Sequence, residues 1–525
     1  MTAGRLALVL HGHLPFVRSL RPGSLEEDWF HQALLECYLP LLAMLQGLAS
    51  SEDVQPRLTM SLSPTLLAML DDPLLQERFP AWLALRLHLL EGAPSACAAA
   101  VNHLGERIEA MADFWESLDR RPVLAFAALQ QAGVLDLITC SATHGYLPLL
   151  REPHQSVRGQ LHTAVVAHGR QLGCRPQGIW LPECAYFEGL DAELAAVGLR
   201  YAVLDGHGLL HALPRPRYGV YAPICSPGAV AFFARDSAST LPVWSARDGY
   251  PGHGDYREFH RDLGWDMPLE DLQEVGIDDA RPLGLKLHRV TDSACGLAEK
   301  EPYDPSRATA RADEHGRNFV ADRLTQAERL ARAMHRDPLI VAPFDAELFG
   351  HWWFEGPRFL EAVFRAGASE GLTFTTLRQC LEGQPRLQVC RPAPSSWGQG
   401  GFHTYWLSES NAWMTAEWDR AGRAMLTLMD RFGEGQGQRR LLQQAARELL
   451  LAQSSDWSFI LRAGTTTDLA RQRLDRHLSR FWRIRDHLEG LQNLPPGWLH
   501  TVEHEDNVFP DIDLSPWQPS PSRIS

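Results

Sequence analysis

An α/β fold of parallel strand–helix units, followed by an all-helical C-terminal domain, is what the sequence predicts. Three observations carry this. Short apolar runs recur and end in polar or aromatic clusters, helical spacing fills the gaps between them, and beyond about residue 400 the helical spacing continues alone. A chain of 525 residues also exceeds one ordinary globular unit, so a large domain with a smaller companion is expected.

The runs appear in this order: LALVLHGH (6–13), LTMSLSP (58–64), LITCSATHGY (137–146), GIWLPECAY (178–186), YAVLDGHG (201–208) and LIVAPFDAE (339–347). Each is short enough for a buried strand. Segments such as HQALLECYLPLLAMLQGLA (31–49) carry the spacing of helices between them. In parallel α/β folds, whether barrel or open sheet, the carboxyl ends of the strands hold the site. The stretch CRPAPSSWGQGG (390–401) changes composition and reads as a linker or wrapping loop. After it, residues 411–432, 439–453 and 466–488 all repeat apolar positions near every 3.6 residues, the pattern of a helical bundle. The last ten residues, PWQPSPSRIS, read as a loose tail.

A net charge of −14 without any run of Lys or Arg argues against nucleic acid and anionic membrane surfaces as partners. A neutral substrate is indifferent to that field. Sixteen tryptophans, in a chain whose 35 prolines and 41 glycines imply long loops, point to exposed stacking surfaces. Nine cysteines with no C-x-x-C pair suggest neither a disulfide framework nor a thiolate zinc site, which fits a cytoplasmic location. LALVL is too short for a signal sequence, and no stretch is expected to span a membrane.

Two carboxylates stand out. Glu183 follows Pro182 at the end of an apolar run, between Trp180 and Tyr186, where an unpaired buried charge would cost several kcal/mol. It is therefore paired or functional. Asp345 ends another run among Phe344, Phe349, Trp352 and Trp353, surroundings that favour its protonated form and suit a general acid. Glu183, among polar neighbours, is then the ionised partner, and two such groups can flank a glycosidic bond. Glu347 shares Asp345's side by strand alternation and is the rival acid. His11 and His13 form an H-x-H pair at a strand end, which is either the lining of a polar pocket or a metal site completed by His144 and His351. Cys184 reads as a small buried filler, and a salt-bridged strand end under an aromatic lid is the bland alternative for the Asp345 region.

Taken in order, HGHLP, CSATHGY, GIWLPECAY, PFDAELFGHWW and NAWMTAEW resemble the signature regions of glycoside hydrolase family 57 over nearly the whole chain, nearest to its 1,4-α-glucan branching members. The resemblance implies an incomplete (β/α)7 barrel over 1–390, with inserted helices at about 40–120 and a loop-rich part at about 220–275. It further implies a helical domain over 391–515 that completes the active-site cleft, and a tail at 516–525. It implies a retaining reaction with no metal and no cofactor, on amylose or glycogen, by a monomer. Carried over by position, Glu183 matches the nucleophile and Asp345 the acid/base, while His11 and His144 match histidines of the donor glucose site. His13, Trp180 and Trp352 stand beside these motifs as substrate-binding candidates. Trp397 and Trp406 resemble a tryptophan pair of the cleft, Trp265 a further aromatic wall, and Asp456 with Trp457 the helical domain's contribution.

One departure matters. Branching members are expected to carry a tyrosine-tipped loop that shields the covalent intermediate from water, yet the stretch 220–244 is short and supplies no tyrosine that can be placed at such a tip; Tyr250 belongs to the neighbouring segment. A reduced shield favours hydrolysis. The alternatives are therefore an α-amylase or 4-α-glucanotransferase on the same scaffold, then a metal-dependent polysaccharide deacetylase or a non-catalytic glucan-binding protein.

Overall fold

The structure, a computed structural model, describes residues 4–292, 294–383 and 386–518. Ten strands lie in two sheets: β1 (Arg5–Gly12), β2 (Leu58–Leu62), β3 (Leu135–Ile138), β4 (Gly178–Trp180), β5 (Tyr201–Leu204), β6 (Ile224–Cys225), β7 (Ala231–Ala234), β8 (Leu339–Asp345), β9 (Thr373–Phe374) and β10 (Gln388–Val389). The first sheet runs β3-β2-β1-β8, with β9 added to β1, and the second runs β10-β6-β7-β5-β4. All pairings are parallel except β6 with β7. The sheets meet twice. Beyond β3, Thr139 N donates to Gly178 O at 3.1 Å and Trp180 N to Thr139 O at 2.8 Å, while beyond β7 Asp236 N donates to Val341 O at 2.9 Å.

Burial follows the strand pleat. Leu6, Leu8 and Leu10 of β1 join the large core shared with the surrounding helices, whereas Ala7 and Val9 join a second cluster with Ile138, Trp180, Tyr201, Val203, Phe233 and Val341. That second cluster is the space between the sheets. Because the strands are parallel, their carboxyl ends open at one end of it.

Long connections cover the outside. Between β1 and β2 the helical run Leu25–Ala49 is long and apolar enough to cross a membrane, contrary to the expectation from sequence, but most of it is buried inside the fold against other elements. Four helices between β2 and β3 (Pro64–Leu70, Pro73–Leu90, Ala98–Ser117 and Pro122–Gln131) extend the helical cover. A 30-residue helix, Pro305–Met334, opens on Asp304, whose carboxylate caps the amides of Ser306 and Arg307, and buries Ala308, Ala312, Phe319 and Val320 on one face. Its Gly316 lies so close to the helix Gly356–Glu370 that a Cβ there would stand 2.6 Å from the Ala362 side chain.

The stretch 390–401 wraps the sheets. Arg391 exchanges backbone hydrogen bonds with Leu213, and Ser395 with Tyr186, before Trp397 N donates to Glu183 O at 2.9 Å. Beyond it lie the helices Trp413–Phe432, Arg439–Ala452, Ser455–Ala463, Thr467–Leu488 and Trp498–Glu505. Trp517, expected in the loose tail from 516, is instead fully buried, and its ring fills the space where a Cβ on Gly159 would sit. Residues 519–525 of that tail lie outside the described residues. All nine cysteines are free thiols.

Candidate active site

The candidate residues stand where the chain leaves its parallel strands. On β1 the inward positions Ala7 and Val9 lead to His11, and on β8 Leu339 and Val341 lead to Asp345. Parallel register then sets His11 beside Asp345 on one side and beside Ser61 on the other. From β4 the chain turns at Pro182–Cys184, and this turn carries Glu183.

The turn is strained. Glu183 has φ 61° and Cys184 φ 50°, both left-handed, and His144 has φ 55°. Side-chain-bearing residues rarely adopt this conformation, which costs on the order of 1–3 kcal/mol each and persists only where the surroundings enforce it. Here they do. Trp397 grips Glu183 twice, through its backbone amide and through an indole Nε1 that donates to Glu183 Oε2 at 2.6 Å.

Both carboxyls hold protons more tightly than usual. Burial pushes Glu183 up to about 7, with Asp456 adding to the rise and the Trp397 indole opposing it. Burial also pushes Asp345 well above the ordinary carboxylate range, followed by repulsion from Glu347 and Glu183. Of the two, Glu183 owns a donor for its ionised form and Asp345 faces two neighbouring acids. The burial is not that of the expected aromatic ring: Phe349 and Trp353 are buried in the outer core, Phe344 belongs to the opposite side of the strand, and of the four only Trp352 reaches the cleft. Glu347 does sit on Asp345's side, accepting from Tyr38 Oη and, at 3.0 Å, from His13 N.

Three histidines face Glu183 as a stacked set, the His13 and His144 rings 4.0 Å apart and 11° from parallel. His11 Nε2 meets His144 Nε2 at 3.1 Å, His11 Nδ1 meets Ser61 Oγ at 3.2 Å, and His144 Nδ1 meets Ser455 Oγ at 2.7 Å. His13 bonds Ser63 Oγ at 2.8 Å and Asp456 Oδ2 at 3.0 Å. Burial and mutual repulsion keep His11 and His144 neutral, their pKa values well below 6.5. Asp456 is held at about 2, because His13 and then the remaining neighbours outweigh the burial that acts the other way. Two sets, His11–Cys140–His144 and His13–His144–Asp456, are close enough to share an ion. Every ring nitrogen of the three histidines already faces a partner, and burial pushes the Cys140 thiol far up. The donors are committed to one another, which suits a hydrogen-bonding wall better than a metal site. His351, the other histidine considered as a ligand, is turned away to Glu36 Oε2 at 2.7 Å.

These groups line one cleft of about 780 Å³, together with Trp265, Trp352, Trp397 and Phe459. Trp265 and Trp352 are 55% and 43% exposed, which is unusual for indoles unless a ligand covers them. Trp244 extends this wall, meeting Trp352 edge-on at 6.1 Å and Trp397 at 6.0 Å. Of the predicted residues, Glu183, Asp345, His11, His13, His144, Trp265, Trp352, Trp397 and Asp456 converge here.

Three do not. Trp180 is fully buried and stacks on His11 at 4.8 Å, so it supports the histidine rather than a ligand. Trp406 is buried on Tyr146 at 4.6 Å, and its ring fills the space beside Gly398, where a Cβ would stand 2.4 Å away. Trp457 is buried with its Nε1 donating to Leu451 O at 3.1 Å. Spacing along the chain does not reveal which side of a pleat or helix faces the core. More broadly, eight of the sixteen tryptophans (82, 115, 180, 353, 406, 418, 457 and 517) are buried, so the count overstated the stacking surface. Sequence reasoning missed Trp29, Gln32, Phe259, Lys286 and Phe459 of the lining. Lys286 alone left a signal, as a charge among alternating leucines in LGLKL.

The stretch 220–244 is mostly β6, β7 and the helix Ser237–Trp244. Tyr221 bonds Asp236 at 3.2 Å, and Tyr250 bonds Asn318 at 2.6 Å on the long helix, so neither hydroxyl serves the cleft.

Comparison with known proteins agrees in extent with this arrangement. The model of glycosyl hydrolase family 57 matches residues 7–265, and that of the 1,4-alpha-glucan branching enzyme C-terminal region matches 417–517. A 1,4-alpha-glucan branching enzyme of Thermococcus kodakarensis is 31% identical over 98% of this chain and 78% of its own length. A probable 1,4-alpha-glucan branching enzyme of Mycobacterium tuberculosis is 32% identical over 97% of both chains. Among solved structures, the alpha-amylase AmyC of Thermotoga maritima superposes with a TM-score of 0.91 at 34% identity, covering 99% of this chain and 100% of that one. The branching enzyme of Pyrococcus horikoshii gives 0.89 at 30%, covering 99% and 97%.

Proposed function

Because the chain belongs to glycoside hydrolase family 57, we propose that it is a 1,4-α-glucan branching enzyme, and that Glu183 and Asp345 carry the reaction. The observation that carries this reading is the meeting of those two carboxyls, from strands 159 positions apart in number between Trp180 and Leu339, in one aromatic-walled cleft.

Glu183 attacks the anomeric carbon of an α-1,4-linked glucosyl unit while Asp345 protonates the departing oxygen. The bond from C1 to that oxygen breaks, and an ester between Glu183 and the glucosyl group forms. A 6-hydroxyl of a second glucan then attacks C1, giving its proton to the Asp345 carboxylate, and the ester breaks to leave an α-1,6 linkage and free Glu183. The shifts support these roles: burial and the neighbouring acids favour the protonated form of Asp345, and Glu183 at about 7 loses its nucleophilic form as pH falls. Neutral His11 and His144, bonded to each other and to Ser61 and Ser455, form the wall against which the sugar attacked by Glu183 rests, and Asp456 holds His13 in place.

The finer architecture follows the same reading. Seven parallel strands (β8, β1, β2, β3, β4, β5 and β7), linked by the backbone bonds at Thr139 and Asp236, support an incomplete (β/α)7 barrel over 1–390. The helical part over 391–515 supplies Trp397, Ser455, Asp456 and Phe459 to its cleft. Nine free thiols fit a cytoplasmic location.

A second reading, α-amylase, has specific support in the 34% identity to AmyC and in the absence of a cleft tyrosine from the stretch 220–244. Linkage analysis of amylose incubated with the pure protein separates the two. New α-1,6 bonds are expected to exceed new reducing ends; reducing ends without α-1,6 bonds would overturn the branching assignment in favour of hydrolysis.

A further inference from the structure

One charged group in the cleft has no role in the reaction just described. Lys286 is 4% exposed, lines the same cleft as Glu183 and Asp345, and forms no hydrogen bond or ion pair among the described residues. Its Nζ stands 3.9 Å from the centre of the Phe259 ring, also part of the lining. A buried ammonium is costly unless its donors are used, and a ring face recovers only part of the lost hydration. Four charged groups surround it: Glu36, Arg257, Asp262 and Glu258. Glu36 and Asp262 are already spent. Glu36 binds Arg257 at 2.7 Å, His351 at 2.7 Å and Gln32 at 3.0 Å, while Asp262 accepts from the amides of Gly264, Leu283 and Gly284. Burial draws the lysine's pKa down from its ordinary range, as expected of an ammonium without a dedicated counter-ion.

Its position names the ligand. A general acid at Asp345 protonates the oxygen of the departing chain, so the departing and incoming glucans occupy the side of the cleft beyond Asp345. The turn after Asp345 carries Glu347 and His351; His351 leads to Glu36, whose charge acts on Lys286 more than any other. Phe259, which carries Lys286, packs edge-on against His351 at 5.5 Å, whereas the charges of Asp456 and His13 act on Glu183. We propose that Lys286, seated on Phe259 and opposite no protein anion of its own, is a binding residue for the acceptor glucan, donating hydrogen bonds to its hydroxyls so that the 6-hydroxyl competes with water for the glucosyl-enzyme.

The proposal rests on the branching reading, and its test separates the two. Lys286→Met keeps the aliphatic stem over Phe259 and removes the donors. The partition between transfer and hydrolysis is set after the ester on Glu183 has formed, so it reports acceptor binding independently of the first step. With amylose as donor and acceptor, K286M is expected to lower the ratio of new α-1,6 bonds to new reducing ends about tenfold, the loss of a charged hydrogen bond. The deficit should shrink as glucan concentration rises, while the melting temperature stays near that of the native protein. A folded K286M with the native ratio at every glucan concentration overturns the role of Lys286. A native protein that makes no α-1,6 bonds overturns the branching reading itself. Should K286M not fold, K286Q, with a neutral donor of similar reach, carries the same comparison.

Discussion

The two ends of the cleft are built on opposite terms. At the end facing Glu183, three stacked histidines, Ser61, Ser63, Ser455 and Asp456 satisfy one another completely, and Glu183, Cys184 and His144 are held in strained backbone conformations. Around Lys286 an ammonium lacks any acceptor among the described residues, and Trp265 lies open to solvent. A wall whose hydrogen bonds are already made positions one sugar ring without reorganising, which serves bond making at C1. A surface of unmet donors and bare rings accepts chains of varying length. The contrast is that of a site for chemistry with a site for binding.

It predicts different kinetic signatures at the two ends. The largest effect is expected for Glu183→Gln, which removes the nucleophile yet retains the size and the acceptor that Trp397 grips. Turnover should fall by about 10,000-fold or more while glucan affinity persists. Turnover within a few-fold of native in that variant would end the assignment of Glu183.

Next comes Asp456→Asn, which leaves His13 without its carboxylate. We expect kcat to drop about ten- to a hundredfold, the range for losing a hydrogen bond to a charged group, with KM little changed. A change confined to KM would place Asp456 among the binding residues and erase the contrast. The smallest effect is expected for Trp265→Ala: a stacking surface lost from a solvent-facing position should raise KM about fivefold, for roughly 1 kcal/mol, and leave kcat and the melting temperature alone. Steady-state kinetics on the two variants, side by side, measure the split directly.

The pair proposed to carry the reaction was legible because carboxylates at the ends of apolar strands are rare and costly. Glu183 and Asp345 each break a run that the core would otherwise absorb, and parallel strands bring such ends together. Burial is, as expected, the main reason Asp345 holds its proton, but most of the rings expected to bury it do not surround it. Phe344, Phe349 and Trp353 belong to the outer core and only Trp352 reaches the cleft, while the acids that add to the effect of burial, Glu347 and Glu183, come from the turn and from another strand. The same limit misplaced Trp180, Trp406 and Trp457, each beside a catalytic motif in sequence but buried in the fold. It also hid Trp29 and Phe259, whose local sequence announces only helix or loop, and left Lys286 no more than a lone charge among leucines.

By itself the sequence determined the alternation of strand and helix, the helical C-terminal part and the two carboxylates, because these depend on periodicity and on the cost of charge within an apolar run. Tertiary structure alone decided which indoles meet a ligand, which nitrogens remain free and where a lysine is stranded without an acceptor. Those properties depend on what packs against a side chain from elsewhere in the molecule, and no spacing along the chain encodes that neighbour.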